Sequence, residues 1–299
     1  MREVSYFAPT KMDEALQLLA EYGGKMTVLA GGTDLMPKLN HYQLKTEAIM
    51  YIGGLGLNYI NDEGEKLVIG STTTTAQIAV NEMIAKKTRA LADAANQSGS
   101  VAIRSTATIG GNIVNASPAA DLVAPLIALG AEVKLVSAGS ERMVLLEDFF
   151  TGPDQTEIRP DELLTEVHVP IPKGTSIFLK LGRRKAQTLS VASVAVQIAL
   201  DGQECKDARI VLGAMAPTPL RCTKAEALLR SCVWPLSVSH FGQRSGAGAK
   251  DLDEATIDQC AAQAVEESAP IDDQRASAWY RKRAAKALVV QALKQVAGI

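Results

Sequence analysis

Residues 107–121 read Ala-Thr-Ile-Gly-Gly-Asn-Ile-Val-Asn-Ala-Ser-Pro-Ala-Ala-Asp, and this stretch decides the fold. Glycines allow positive φ and a close approach of the backbone to a ligand, and successive N–H groups in such a turn form an anion-binding nest. A shorter stretch, residues 28–35, repeats the pattern as Val-Leu-Ala-Gly-Gly-Thr-Asp-Leu. The two loops together indicate one long dinucleotide held from two sides. The simpler alternative is two ordinary glycine turns.

The residues that follow the second glycine pair are polar and short. Asn112, Asn115 and Ser117 offer side-chain donors and acceptors. Asp121 closes the stretch as its lone carboxylate. We therefore consider Asp121 a candidate to bind a ribose hydroxyl.

Length, composition and charge restrict the class of protein. The 299 residues suffice for two or three domains, and 47% of them are apolar. A formal net charge of −2 gives no general attraction for nucleic acids or membranes, so an anionic ligand needs local neutralisation. No run approaches the ~18 apolar residues of a membrane span, and the N-terminus lacks the apolar core of a signal peptide. These features predict a cytoplasmic protein with no membrane span.

The sequence contains no self-contained catalytic or metal motif. The three histidines, His41, His168 and His240, are scattered, and the common hydrolase, zinc and phosphate-loop patterns are missing. No Cys-x-x-Cys occurs, which favours buried, reduced thiols over zinc or iron–sulfur ligands. The four cysteines lie far apart, at Cys205, Cys222, Cys232 and Cys260. The pattern predicts a protein in which a bound cofactor carries the chemistry, with no catalytic side chain and no metal.

Hydrophobic periodicity predicts mixed helix and strand in the first half of the chain. Residues 10–22 form a helix with Thr10 as its N-cap, and short strands at 27–29 and 48–52 complete a small βαβ-like unit. Residues 54–59 begin like a Rossmann fingerprint, but Tyr59 stands where the third glycine is needed and no helical pattern follows. The other predicted elements are strands at 67–70 and 163–169, a hairpin of 132–137 with 142–145, helices near 76, at 90–97 and from 121, and a polar linker at 98–106.

The pattern changes near residues 170–174, where we place a domain boundary. Three β-rich runs follow at 176–181, 191–200 and 208–212, with Asp201-Gly202 as a hairpin signal. Helical patterns then cover 224–230, 253–267 and 277–296, and residues 237–250 are predicted to be an exposed loop. The basic run Arg183-Arg184-Lys185, with Lys180 on the strand before it, is either a solvated turn or a face toward an anionic cofactor or a partner subunit.

Several motifs occur in one order along nearly the whole chain. They are the glycine stretches 29–35 and 108–113, Ile-Gly-Ser-Thr-Thr-Thr at 69–74, Phe-Leu-Lys-Leu-Gly-Arg-Arg at 178–184, Leu-Gly-Ala-Met-Ala-Pro-Thr-Pro-Leu-Arg at 212–221, and Asp-Asp-Gln-Arg-Ala-Ser-Ala-Trp-Tyr-Arg at 272–281. Together they resemble the FAD-binding medium subunits of molybdenum hydroxylases of the xanthine dehydrogenase and carbon monoxide dehydrogenase kind. The segment at 69–74 is similar to that family's Gly-Ala-x-Thr-Thr.

The resemblance implies an α+β fold. It comprises a two-subdomain FAD-binding domain of the vanillyl-alcohol-oxidase/PCMH type at 1–172, with subdomains of about 1–55 and 56–172. A C-terminal domain at 173–299 follows, built from a three-stranded sheet with a helical bundle.

The same resemblance implies which residues bind FAD. The two glycine stretches hold the pyrophosphate and the flavin side, Asn115 and Asp121 reach the ribityl, ribose or phosphate region, Leu164 contacts the adenine or flavin, and Lys180 lies near the isoalloxazine ring. The full set is Val28, Leu29, Ala30, Gly31, Gly32, Thr33, Asp34, Leu35, Ala107, Thr108, Ile109, Gly110, Gly111, Asn112, Asn115, Asp121, Leu164 and Lys180.

As implied by the resemblance, the chain is the electron outlet of a multi-subunit dehydrogenase. A large partner subunit carries molybdopterin and hydroxylates the substrate, a small partner carries two [2Fe–2S] clusters, and the complex is a dimer of heterotrimers. Two alternatives stay open from the residues: a stand-alone flavin oxidase of the same FAD superfamily, and a non-enzymatic nucleotide-binding protein. Neither the hydroxylated substrate nor the final acceptor can be read from the sequence.

Overall fold

The computed structural model describes residues 4–185, 187–234 and 250–298. Most of the segment predicted as an exposed loop at 237–250, with His240, lies outside these ranges. The described residues fall into two compact units, neither of which is continuous in sequence. The first unit lies within Met1–Ile78, Ser100–Ala116 and Gly130–Pro170, and the second within Ala79–Gly99, Ser117–Leu129 and Ile171–Ile299.

A parallel three-stranded sheet opens the first unit. Its strands are β1 (Ser5–Phe7), β2 (Met26–Leu29) and β3 (Ala48–Tyr51), in the order β1-β3-β2. Helix α1 (Met12–Tyr22) connects β1 to β2, and α2 (Leu35–Asn40) follows β2. The buried face of α1 carries Ala15, Leu16 and Leu19, and Gly23 ends the helix at φ 53°. The predicted βαβ-like unit is confirmed.

The N-cap that we predicted for α1 is wrong. Lys11 occupies the cap position, and its side chain makes no cap hydrogen bond. Thr10 lies one residue too early for its hydroxyl to serve the N–H groups of the first turn.

The first unit also contains an antiparallel five-stranded sheet, in the order β4-β5-β10-β6-β7. Its strands are β4 (Ile60–Asp62), β5 (Lys66–Gly70), β6 (Glu132–Val136), β7 (Glu141–Leu145) and β10 (Leu163–Pro170), with β8 (Phe150–Gly152) and β9 (Gln155–Thr156) as a separate hairpin. The predicted hairpin of β6 with β7 is confirmed by the pairing of Val136 with Glu141. Tyr59 leads into β4 and not into a helix, which agrees with the rejection of a Rossmann site.

The chain between β5 and β6 is helical, and its residues 79–99 and 117–129 belong to the second unit. The helices are α3 (Thr75–Val80), α4 (Glu82–Lys87), α5 (Arg89–Gln97), α6 (Val101–Thr106), α7 (Ile109–Val114) and α8 (Val123–Ala128). The predicted polar linker at 98–106 is therefore wrong in part, because Ser100 caps α6 by accepting a 3.1 Å hydrogen bond from the Ile103 N–H. The helix predicted to begin at Asp121 begins at Val123.

The second unit contains an antiparallel sheet of three long strands, β11 (Thr175–Gly182), β12 (Ser190–Asp201) and β13 (Glu204–Gly213). Gly202 has φ 59°, as the predicted two-residue hairpin requires. Short strands β14 (Leu220–Arg221), β15 (Cys232–Val233) and β16 (Lys250–Asp251) extend the sheet beyond the predicted three strands. Helices α9 (Thr223–Arg230), α10 (Glu254–Glu266) and α11 (Ala278–Ala297) pack with the long strands around one apolar core.

The helices of the second unit are held in place by a buried guanidinium. Arg281, in α11, is 1% exposed and bonds the carboxylate of Asp273 at 2.6 Å and the carbonyl of Val191, in β12, also at 2.6 Å. Ser277 caps α11 through the N–H of Tyr280. The motif at 272–281 thus has a structural role in seating α11. Mixed helix and sheet content confirms the α+β class, and in the described residues no helix combines the length and apolar character that crossing a membrane requires.

Candidate cofactor site

Both glycine stretches meet at one cavity in the first unit. Its volume is about 460 Å³, within the range of roughly 300–1,000 Å³ for small-molecule and cofactor sites. The start of β10 supplies Leu163 and Leu164 to its wall. The predicted residues that line it are Val28, Ala30, Gly31, Gly32, Thr33, Asp34, Leu35, Ala107, Thr108, Gly110, Gly111, Asn112, Asn115 and Leu164. The structure therefore brings together residues that are far apart in sequence.

The first glycine stretch turns sharply between β2 and α2. Gly32 takes φ 71°, a conformation that favours glycine. Among the described residues, the N–H groups from Gly31 to Leu35 have no hydrogen-bond partner. Five successive N–H groups along a cavity wall need acceptors, and an anionic ligand is one kind of group able to accept from them.

The second glycine stretch differs from our prediction of an open nest. Gly110 and Gly111 lie within α7 and do not adopt positive φ. The N–H groups of Ile109 and Gly110 donate to carbonyl oxygens in residues 71–73, at 3.0 and 2.9 Å. Thr108 accepts the next two helix N–H groups, at its Oγ1 (3.1 Å) and its carbonyl oxygen (2.9 Å). These N–H groups are therefore satisfied within the chain, unlike those of the first stretch.

At two positions only glycine fits, because a neighbouring chain segment lies too close to leave room for a Cβ atom. A Cβ on Gly31 would lie 1.9 Å from the carbonyl oxygen of Thr106, and a Cβ on Gly110 would lie 2.8 Å from the Cβ and carbonyl oxygen of Ser71. Both contacts involve backbone atoms of neighbouring segments, so neither can be relieved by a side-chain rotation. The glycines thus set the distance between the two walls of the cavity.

Two buried polar atoms beside the cavity have no hydrogen-bond partner among the described residues. They are the Oγ of Ser71 and the Oδ1 of Asn112, and both residues line the cavity. An unpaired buried polar group costs about 1–3 kcal/mol, and such groups in a native protein indicate a missing partner. Together with the free N–H groups of the first stretch, they fit a cofactor that carries phosphates and hydroxyls, as FAD does.

Four charged side chains line the cavity: Asp34, Lys38, Asp154 and Glu162. Glu162 is 5% exposed and forms a two-point ion pair with Arg142, at 2.7 and 2.9 Å. The Arg142 guanidinium holds the pKa of Glu162 below its ordinary value. The Nζ of Lys38 donates to Asn115 Oδ1 at 3.2 Å, across 77 residues of sequence.

Sequence analysis missed Lys38, Ser71 and Glu162 as cavity residues. A signal existed for Lys38, which stands four residues after Asp34, the N-cap of α2, and so one helical turn further on. Ser71 lies within the motif at 69–74, which sequence analysis linked to the family but not to a binding role. Nothing local distinguished Glu162.

The remaining predicted residues lie elsewhere. Asp121 and Lys180 belong to the second unit, where Lys180 Nζ lies 2.6 Å from Asp121 Oδ2. Leu29 and Ile109 belong to the first unit but are not among the residues that line the cavity. The binding of FAD by these four residues stays a prediction.

The basic group, predicted as a solvated turn or as a face toward an anionic cofactor or a partner subunit, needs one correction. The Lys180 side chain is 4% exposed and is held in its ion pair, so it cannot belong to an exposed surface. Arg183, Arg184 and Lys185 are exposed. Sequence patterns could not separate these neighbours, because burial of a strand lysine depends on the carboxylate that meets it.

The four cysteines are free and buried. Burial raises the pKa of Cys205 to about 11 and that of Cys260 to about 12, and it also raises the pKa of Cys222. Each thiol donates to a backbone carbonyl. The prediction that the thiols are buried is confirmed. In the part of the chain that the structure describes, no group of three or more His, Cys, Asp and Glu side chains is arranged to hold a metal.

Comparison with known families assigns both halves of the chain. Residues 2–172 match the model of the FAD-binding domain in molybdopterin dehydrogenase. The chain belongs to the FAD-binding medium-subunit family of molybdenum hydroxylases. Residues 177–238 and 247–296 of this medium subunit match the model of the CO dehydrogenase flavoprotein C-terminal domain.

Named relatives of this medium subunit are subunits of oxidoreductases. The glyceraldehyde dehydrogenase medium chain of Sulfolobus acidocaldarius is 32% identical over 296 residues, 99% of each chain. The carbon monoxide dehydrogenase medium chain of Afipia carboxidovorans is 29% identical, covering 97% of this chain and 95% of the relative. The medium subunit is therefore an FAD-binding flavoprotein subunit of an oxidoreductase, and these relatives do not favour a stand-alone oxidase.

Solved structures agree with this membership. A chain of reconstituted CO dehydrogenase from Oligotropha carboxidovorans superposes with a TM-score of 0.89 at 28% identity, covering 99% of this medium subunit and 98% of that chain. A chain of the Hydrogenophaga pseudoflava carbon monoxide dehydrogenase that lacks the Mo-pyranopterin moiety gives a TM-score of 0.86 at 27% identity, covering 98% and 97%.

Proposed function

We propose that this medium subunit binds FAD in the cavity of the first unit and serves as the electron outlet of a molybdenum hydroxylase complex. The observation that carries the placement is the run of unpartnered N–H groups from Gly31 to Leu35 along the wall of the cavity. Bound FAD supplies one- and two-electron redox chemistry, which matches single-electron delivery by iron–sulfur partners to a two-electron acceptor. The free polar groups of the cavity are of the kind that this cofactor's phosphates and hydroxyls can bind.

In this proposal the chain's own residues bind and orient the cofactor, and they exclude water from it. The N–H groups of the first stretch hold the pyrophosphate, because consecutive backbone donors favour an anion without a large desolvation cost. Ser71 and Asn112 provide the polar atoms that lack partners within the chain. Leu163 and Leu164 supply an apolar wall, against which a flat ring system packs away from water.

The assembly is proposed on the same basis. Relatives carry the names medium chain and FAD-subunit, which supports a large molybdenum subunit and a small iron–sulfur subunit as partners, arranged as a dimer of heterotrimers. We also propose the vanillyl-alcohol-oxidase/PCMH arrangement of the FAD-binding domain, with a boundary after residue 172. Four buried free thiols are compatible with a reducing compartment, and the cytoplasm is the location that we propose.

The purified full chain tests this function. We expect about one FAD per chain, no iron and no molybdenum, and no bleaching of the flavin by a purine or an aldehyde when the partners are absent. The control is the same chain with the partner subunits added back, which should restore substrate-driven reduction. Stoichiometric iron in the single chain, or flavin reduction by a substrate without partners, would contradict the subunit assignment.

A further inference from the structure

Lys38 is a cavity residue that the sequence motifs do not assign. It is the only basic side chain among the described residues that line the cavity, and it is half-buried. Its Nζ donates to Asn115 Oδ1 at 3.2 Å, and no carboxylate of the described residues pairs with it within 4.0 Å. A cation in this position favours an anion as its partner.

The cation lies on the same chain segment as the free N–H groups. The segment from Gly31 to Leu35 runs directly into α2, and the Lys38 N–H bonds the carbonyl oxygen of Asp34 at 3.3 Å. The N–H groups at the start of α7 are all taken within the chain. Positive charge and free donors are therefore concentrated on one wall of the cavity.

The carboxylates of the cavity do not cancel this positive charge locally. Glu162 is neutralised by Arg142. Asp34 and Asp154 are exposed to solvent, where water screens their charge. Lys38 is thus the one lining group that offers an anion both a full charge and a hydrogen bond.

We propose that Lys38 is the counter-charge for the pyrophosphate of FAD, and that Asn115 is the positioning residue that orients its ammonium group. This inference rests on the proposed binding of FAD in the cavity and adds the residue that neutralises the anion. Backbone donors carry only partial charges, whereas each phosphate carries a full negative charge at neutral pH. A lysine anchored by an amide oxygen completes the neutralisation with less loss of side-chain entropy than a free lysine would suffer.

The test compares apo-protein variants by fluorescence titration with FAD at several salt concentrations. Lys38→Met should weaken FAD binding about 10- to 100-fold, and the dependence of affinity on salt should become shallower. Lys38→Arg should retain most of the affinity. Asn115→Ala should cause a smaller loss with the salt dependence kept. Lys45→Met, an exposed lysine outside the lining residues, is the matched control and should bind like the wild type.

The possible outcomes distinguish a failure of the proposal for Lys38 from a failure of the proposed FAD binding. If Lys38→Met binds FAD as tightly as the wild type, or loses affinity with an unchanged salt dependence, Lys38 does not neutralise the pyrophosphate, although the cavity still binds FAD. If the folded wild-type apo-protein, checked by its thermal unfolding transition, takes up no FAD, the proposed function itself is wrong.

Discussion

Lys180 Nζ and Asp121 Oδ2 lie 2.6 Å apart, with side chains that are 4% and 6% exposed. The other carboxylate oxygen of Asp121 accepts a 2.7 Å hydrogen bond from Ser190 Oγ, and Lys180 also donates to the carbonyl of Gln97 at 3.2 Å. Burial raises the pKa of Asp121, while the ammonium group of Lys180 and the hydroxyl of Ser190 oppose the shift. The pair therefore ties together three segments of the second unit, α5, the turn before α8 and β11.

Removing one partner of this ion pair should destabilise the fold. We expect Asp121→Ala to lower the free energy of unfolding by about 3–5 kcal/mol, because it leaves a buried ammonium group without its counter-charge. The double variant Asp121→Leu with Lys180→Met should recover most of this loss. Chemical denaturation of the apo-proteins measures both. If Asp121→Ala is as stable as the wild type but binds FAD less tightly, the carboxylate acts mainly on the cofactor.

Gly31 should be intolerant of a single methyl group. Gly31→Ala places a Cβ 1.9 Å from the Thr106 carbonyl oxygen, so the two walls of the cavity must separate. We expect a lower melting temperature and a loss of FAD binding of at least about tenfold, since misplaced donors lose their hydrogen bonds. Gly24→Ala, which meets no atom within 4 Å, is the control. Equal melting temperatures and FAD affinities for the two variants would contradict the close approach.

Removing the Ser71 hydroxyl should stabilise the apo-protein but weaken its binding of FAD. Its Oγ has no partner in the part of the chain that the structure describes, so Ser71→Ala should stabilise the apo-protein by about 1 kcal/mol, the lower end of the cost of an unsatisfied group. FAD affinity should fall about 5- to 10-fold, if the cofactor supplies the missing partner. Ser5→Ala, at an exposed position, is the control. A variant that gains apo stability and keeps its FAD affinity would show that the hydroxyl does not meet the cofactor.

Tyr59 should ionise at unusually high pH. Burial raises its pKa to about 12, with a further contribution from Glu166, whose Oε1 accepts a 2.9 Å hydrogen bond from the phenol. The unfolded chain releases this proton near pH ~10, so the folded state holds more protons between these values. The stability that Tyr59 contributes is therefore full below pH ~10 and is lost as pH rises toward 12. The difference in absorbance at 295 nm between the wild type and Tyr59→Phe, followed against pH, measures the titration of Tyr59. A midpoint near pH ~10 would contradict the raised pKa.

Local sequence patterns predicted the helices, strands and turns better than they predicted the contacts between distant residues. The hairpin at Asp201-Gly202 and the helix ending at Gly23 follow from turn chemistry that only a few residues determine. The polar stretch before α6 was misjudged as a linker, because Ser100 acts as a helix cap only where the following turn packs. Gly110 and Gly111 were misjudged as nest glycines, since their partners in residues 71–73 are distant in sequence.

The sequence by itself determined the mixed helix and strand content, the glycine pairs, the absence of clustered cysteines and the motifs that mark the family. These features depend on neighbouring residues, whose spacing sets local conformation. Tertiary structure alone decided which N–H groups stay free, which carboxylate meets Lys180, and that Lys38 reaches Asn115 across 77 residues. The reason is that a group is buried or hydrogen-bonded only when a second group, often distant in sequence, lies against it. Such contacts form only when the whole chain has folded.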